Sequence, residues 1–350
     1  MKILLAAEIV TGNPLEGLEV FVMHLIRFLK NFGQLTVAYA IGEPEEGVVA
    51  HRVLAPKILL TRKLLALRDT SEFDIVIYVP SSSITPFGLG RGALLRRLFK
   101  APTMIIGLQE RRIGQMHRMA LALGRPDLVL SPVESFRTEL RRMGLVTGFI
   151  LPGFDESKFK RVDEHQKKRL RSKYNLPSDR YIILHVGHIK ESRNMQALLK
   201  YRDWGSDILL VVKAGEVEQP WIKRLRLAGI IVIDEYIEAV HELYQAADCY
   251  LFPVALPTGA LEFPLSVVEA AACNLPVLTT RFGALPGIFS EGDGLIYIDS
   301  SADIPQKLAL IRTGVPSTSA KVSDLSWAKV LAKYLQPQLE TLAQHREGDD

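Results

Sequence analysis

The 350-residue chain holds only two cysteines, Cys249 and Cys273, each inside an apolar segment without a ligand-spaced neighbour. That pattern excludes a disulfide framework and a thiolate metal cluster, and it fits buried thiols in a reducing compartment such as the cytoplasm. Long hydrophobic runs are missing as well. Nowhere do roughly 18 apolar residues follow one another, so no membrane-spanning helix is expected. The opening MKILLAAEIV is interrupted at Glu8, too early for the apolar region of a signal peptide, and reads as a first strand. A large excess of charge of one sign is missing too. A formal charge of +4 is no polyanion-binding signature, and nucleic acid is not an expected partner.

Apolar material, by contrast, is plentiful. Hydrophobic residues make up 48% and charged residues 23%, a globular composition. The length predicts two domains of roughly 150–180 residues rather than one core. Strands are expected at 2–8, 34–41, 73–79, 103–108, 128–131 and 149–152, and again at 181–187, 207–213, 230–234, 249–253, 276–280 and 295–298. These runs are nearly continuously apolar, which fits parallel strands covered on both faces, and helix-period segments lie between them. The class is therefore α/β, doubly wound. KRVDEHQKKRLRSKYNLPSDR (160–180) is solvated and strand-free, placing a domain boundary near 155–180. Two such units facing a cleft would bind ligands at the carboxyl ends of their sheets.

Four stretches carry possible chemistry. GLGRGA (88–93) fits a dinucleotide fingerprint, but about eight residues including Pro86 part it from the preceding strand, where a phosphate-binding turn must sit. After the first strand, VTGNPLEGLEVFVMHLIRFLKNFG opens a long amphipathic helix at Gly17, where backbone would approach an anion. HVGHIKESRN (185–194) ends a strand, turns at Gly187 and presents Lys190 and Arg193, two cations suited to a diphosphate or simply to water. ALEFPLSVVEAAACNLPVLTT (260–280) places Pro264 in the first turn of a helix over 265–273, which Asn274 ends in a left-handed turn. There Glu269 would accept ribose hydroxyls and Glu262 would meet a sugar; the plainer alternative is a loop end and a helix-face charge.

Taken together, these segments resemble family 4 of the retaining glycosyltransferases, built on the GT-B fold of two facing Rossmann-like domains. MKILLAAE with its glycine loop and first helix, DLVLSPVESFRTELRRMG with FILPGFDESKF, HVGHIKESRN, EFPLSVVEAAACNLPVLTTRFGALP and LSWAKVLAKYL are similar, in that order, to the family's successive motifs. The resemblance implies an N-terminal acceptor-side domain over 1–160, a nucleotide-sugar-binding domain over 161–324, and a C-terminal helix at 325–345 that packs back on the first domain. It implies a nucleotide-sugar donor and a glycan or lipid-linked acceptor. Glu269 would hold the ribose, and Lys190 and Arg193 the diphosphate, with Gly17, Gly187 and His188 near it. Phe263 and Leu265 would offer backbone amides, Glu262 would lie nearest the transferred sugar, and Gln109 would face the acceptor. Retention, no metal and no other cofactor are expected.

The sequence departs from the family in the spacing of Glu262 and Glu269, one residue shorter than usual, in Pro264 where glycine is common, and in His188 where arginine is common. A GT-B protein that binds nucleotide sugar or glycan without turnover, or an epimerase or phosphorylase on the same fold, remains an alternative. Finally, Arg91, Arg96, Arg97, Lys100, Arg111, Arg112 and Arg118 stand against the single Glu110, with Leu94, Leu95, Leu98 and Phe99 interleaved. The segment reads either as a seat on an anionic membrane, making the protein peripheral, or as an ordinary amphipathic helix.

Overall fold

Nearly continuous apolar segments govern how each part of the chain folds. In the computed structural model, which describes all residues except 13, 15, 82, 110, 111, 201–206 and 348–350, the chain forms two units. The first is Met1–Pro152 together with the chain from Trp327 onward; the second is Gly153–Ser326. The boundaries read from sequence were 160/161 and 324/325.

The first unit contains β1 (Lys2–Thr11), β2 (Gln34–Glu43), β3 (Val49–Arg52), β4 (Ile75–Val79), β5 (Thr103–Ile106), β6 (Leu128–Leu130) and β7 (Thr147–Gly148). They form one parallel sheet ordered β3-β2-β1-β4-β5-β6-β7. Every residue of β4 is buried, as a strand covered on both faces must be. The second unit contains β8 (Ile182–Ile189), β9 (Ile208–Val217), β10 (Ile231–Ile233), β11 (Cys249–Phe252), β12 (Val277–Thr280) and β13 (Leu295–Ile298), parallel and ordered β10-β9-β8-β11-β12-β13. In each sheet the chain starts in the middle, winds to one edge, returns and winds to the other. The reversal lies between β1 and β4 in one unit and between β8 and β11 in the other, and at such a switch point the loops diverge and leave a crevice.

Several expectations need correction. No strand occupies 149–152; the pairing residues are Thr147 and Gly148, and Phe149 instead packs edge-on against Tyr334 at 4.9 Å. Strand β3, VAHR, was not expected: it is an exposed edge with Val49 59% accessible, so it has no apolar run to betray it. The glycines of GLGRGA lie inside the helix Pro86–Phe99, where a Cβ on Gly92 would stand 2.4 Å from Ile105 Cδ1. They let the helix press on the sheet, which accounts for the spacing without a phosphate. From Trp327 to Glu347 the chain is helical and belongs to the first unit, with Trp327 stacked on His24 at 4.5 Å. Both cysteines are buried and free, and burial pushes the Cys249 thiol up to about 12.

Candidate functional site

The second unit's switch point is built by two loops, one after β8 and one after β11. β8 does not end at Gly187, as expected, but continues to Ile189 with an irregularity in register between the two. Gly187 is needed for another reason: a Cβ there would come within 3.1 Å of Arg193 Nη1, so the glycine makes room for a guanidinium that is only 8% exposed. Lys190 caps the short 3-10 turn Glu191–Arg193, and Asn194 follows in the left-handed region at φ 58°. The two loops are tied together. Asn194 Nδ2 donates to Pro253 O at 3.0 Å, and a Cβ on Gly259 would lie 2.5 Å from Ser192 O.

Beneath them the strands are cross-braced. His185 Nδ1 donates to Leu251 O at 2.9 Å and Tyr250 Oη donates to Val186 O at 3.2 Å. Burial, with Arg193 adding repulsion, holds the His185 imidazole down at about 4, so it is neutral at pH 7. His188 behaves alike: burial first, then Arg193 and Lys190, push it down to about 4. Its Nδ1 accepts from the Glu216 amide at 3.1 Å, and its ring fills the space over Gly215, whose φ of 93° suits only glycine.

The β11 loop leads into the helix Leu265–Ala272. Pro264 is its N-cap, with extended ψ of 118°, rather than a residue of the first turn. A proline has no N–H to offer, so the amides at the helix mouth begin at Leu265. Asn274 closes the end at φ 58°, as expected of a left-handed cap. Phe263 is fully buried, its ring 5.7 Å from Phe289. Glu262 is 3% exposed; its carbonyl accepts from Ala284 N at 2.8 Å and its carboxylate lies where a Cβ on Gly283 would be 2.7 Å from Oε2. Glu269 is half-buried one turn into the helix and accepts from Tyr244 Oη at 3.1 Å. Burial raises its carboxyl to about 7 against the lowering effect of the Tyr244 hydroxyl.

The structure thus places Gly187, His188, Lys190 and Arg193 at and just beyond the end of β8, and Glu262, Phe263, Leu265 and Glu269 in the loop and helix that follow β11, on the two sides of one switch point. Gly17 and Gln109 lie in the first unit. Gly17 opens the helix Gly17–Leu29, and Gln109 is half-buried just after β5. Three neighbours escaped sequence reading. Glu216 pairs with Lys190 Nζ at 2.8 Å, Tyr244 holds Glu269, and at the first unit's switch point Glu8 binds Arg91. Arg91 is accordingly no member of a surface patch. It is fully buried, with Nη1 2.6 Å from Glu8 Oε1 and Nη2 2.6 Å from Ala55 O. Arg96 pairs with Asp127 at 2.7 Å, while Leu95 and Phe99 face the core. Arg111 and Glu110 lie outside the described residues. Among the described residues no three His, Cys, Asp or Glu side chains gather as a metal site, and no helix is long and apolar enough to cross a membrane.

Two Rossmann-like parallel-sheet units of this strand order define the GT-B class of fold, and solved structures agree over the whole chain. Sucrose-phosphate synthase from Thermosynechococcus elongatus matches with a TM-score of 0.74 at 17% identity, covering 100% of each chain. The Anabaena protein HepE, solved in complex with UDP-glucose, matches with a TM-score of 0.68 at 18% identity, again over 100% of both chains. Residues 166–310, the greater part of the second unit, match the family of glycosyl transferases group 1. D-inositol 3-phosphate glycosyltransferases are among its relatives. The Mycolicibacterium vanbaalenii protein is 24% identical over 222 residues, 56% of this chain and 48% of that protein. The Corynebacterium jeikeium protein is 28% identical over 211 residues, 52% and 49% respectively. The chain spans about half the length of the curated relatives it matches.

Proposed function

We propose that the protein is a glycosyltransferase that moves a sugar from a nucleoside-diphosphate sugar to a glycan or lipid-linked acceptor, with retention of anomeric configuration and without a metal cofactor. The observation that carries this reading is the meeting, at one switch point, of the buried Arg193, the mouth of the helix Leu265–Ala272 and the Glu269 carboxylate one turn inside it. The glycosyltransferases among the relatives and the neighbour solved with UDP-glucose support the same substrate class.

In this reading Glu269 accepts the ribose hydroxyls and the diphosphate lies against Arg193 and the amides that begin at Leu265. When the sugar–phosphate bond lengthens, negative charge grows on the departing phosphate, and preorganised donors in a dry site stabilise it most at that moment. Lys190 joins only by exchanging Glu216 for phosphate, so Arg193 carries the larger share. His188, neutral where the family favours a cation, contributes shape rather than charge. Glu262, held against the Gly283 turn, is the acid nearest the transferred sugar. Retention follows if the acceptor hydroxyl attacks from the face the phosphate leaves and gives its proton to the departing phosphate oxygen.

Product analysis with a panel of nucleotide sugars tests the reading. Free nucleotide and a glycosylated acceptor of unchanged anomeric sense, insensitive to a chelator, are expected; a changed sugar, an inverted product or bound donor without turnover contradicts it. For a lipid-linked acceptor the first unit would meet an anionic membrane. The support is the helix Gln115–Ala120, where Met116 and Met119 are 62% and 59% exposed, with exposed Arg118 in the same helix and exposed Arg112 just before it. Replacing Met116 and Met119 with Ser is expected to release the protein from sedimenting anionic vesicles; wild-type protein that never sediments with them points to a soluble acceptor.

A further inference from the structure

As a ribose ligand, Glu269 needs its carboxylate held in one orientation. A carboxylate can accept about four hydrogen bonds, and Tyr244 Oη supplies one of them, to Oε2 at 3.1 Å. Tyr244 is not a passing neighbour. It is fully buried on the helix Val240–Ala246, its ring edge-on to Phe159 at 5.6 Å and tilted against Tyr250 at 5.6 Å. A ring wedged between two others has no freedom to swing its hydroxyl elsewhere, so the Oε2 bond fixes the plane of the carboxylate. Glu269 keeps part of its surface exposed, which is what an acceptor for a ligand requires.

We propose that Tyr244 is a positioning residue of the nucleotide site, its buried hydroxyl holding one oxygen of the Glu269 carboxylate and leaving the other for the ribose. This rests on the functional reading above and adds to it a mechanism for keeping a half-buried acid in its ionised, ribose-binding form. The groups facing the carboxylate are Tyr244 from its helix, Tyr250 from β11 and Cys273 from the end of its own helix. Both hydroxyls and the thiol are pushed up by burial and stay protonated through neutral pH. Glu269 is therefore the member of this group that titrates between pH 5 and 9, and the Tyr244 hydroxyl is what favours its charged form.

Ribose hydroxyls donate, so they select the ionised carboxylate: nucleotide binding strengthens as pH rises through the Glu269 midpoint and weakens below it. UDP binding to the full chain, measured by calorimetry from pH 5.5 to 9, should show that midpoint near 7 in the wild type. In Tyr244→Phe the midpoint should move up by about one pH unit, giving roughly fivefold weaker binding at pH 7 that recovers by pH 9. Tyr250→Phe, which removes a hydroxyl bonded to Val186 O instead, should leave the midpoint in place. A Tyr244→Phe protein that binds like wild type, or more weakly by one factor at every pH, overturns the proposal, as does wild-type binding that ignores pH. Wild-type protein that binds no UDP or other nucleoside diphosphate overturns the functional reading itself.

Discussion

The two switch points share a topology and differ in what they do with charge. Between β1 and β4, the Glu8 carboxylate is saturated: Oε1 takes Tyr78 Oη at 2.5 Å and Arg91 Nη1 at 2.6 Å, and Oε2 takes Ser81 Oγ at 2.6 Å and Ser81 N at 3.2 Å. Between β8 and β11, the described hydrogen bond to the Glu269 carboxylate comes from Tyr244, and the Arg193 guanidinium packs over Gly187. One acid closes a structural network and the other is left with capacity to bind. The same strand order thus yields a brace in one unit and a candidate ligand site in the other, because the loops and not the sheet carry the chemistry.

If that contrast is right, breaking the brace should cost folding and breaking the site should cost function. Arg91→Met removes one partner of a buried pair and leaves Glu8 short of a cation, which should lower stability to denaturant by about 3–5 kcal/mol. Nucleotide affinity of the folded fraction should be unchanged. A variant as stable as wild type would show that Glu8 and Arg91 do not brace the sheet. Arg193→Ala should act the other way, reducing turnover of a nucleotide sugar roughly a hundredfold, as loss of one preorganised donor does. Its affinity for the nucleoside alone should change far less, and equal losses for nucleoside and turnover would make Arg193 structural.

The smallest effect is in pH-dependent stability without ligand. Glu269 is raised from 4.5 to about 7, so the folded state holds its proton more tightly; its stabilisation is complete below 4.5 and is lost as pH rises to 7. His185 and His188, lowered from 6.5 to about 4, have the opposite effect, with stability lost as pH falls through that window. Glu269→Gln removes the first contribution alone. Its melting temperature should gain on wild type from pH 4.5 to 7 and then run parallel; a gap that never changes with pH would contradict the raised carboxyl.

How legible this was depended on whether neighbours in sequence or in space set each feature. Parallel strands buried on both faces leave continuous apolar runs, and β8, β11 and β12 were readable for that reason. Asn274 and the helix before it were readable from local capping chemistry. Tyr244 and Glu216 were not, because they reach their partners across 25 and 26 residues and only the fold brings them together. Arg91 was misread for a related reason: a charge in a sequence suggests water, and its partner Glu8 stands 83 residues away.

Calorimetry of UDP with wild type and Glu269→Gln at pH 8, where the wild-type carboxyl is ionised, tests the central claim most directly. Each bond from a ribose hydroxyl to the carboxylate is worth roughly 1.5–3 kcal/mol, so affinity should fall at least about tenfold while the variant stays folded. An unchanged affinity would remove Glu269 from the nucleotide site and, with it, the contrast between an acid that braces and an acid that binds.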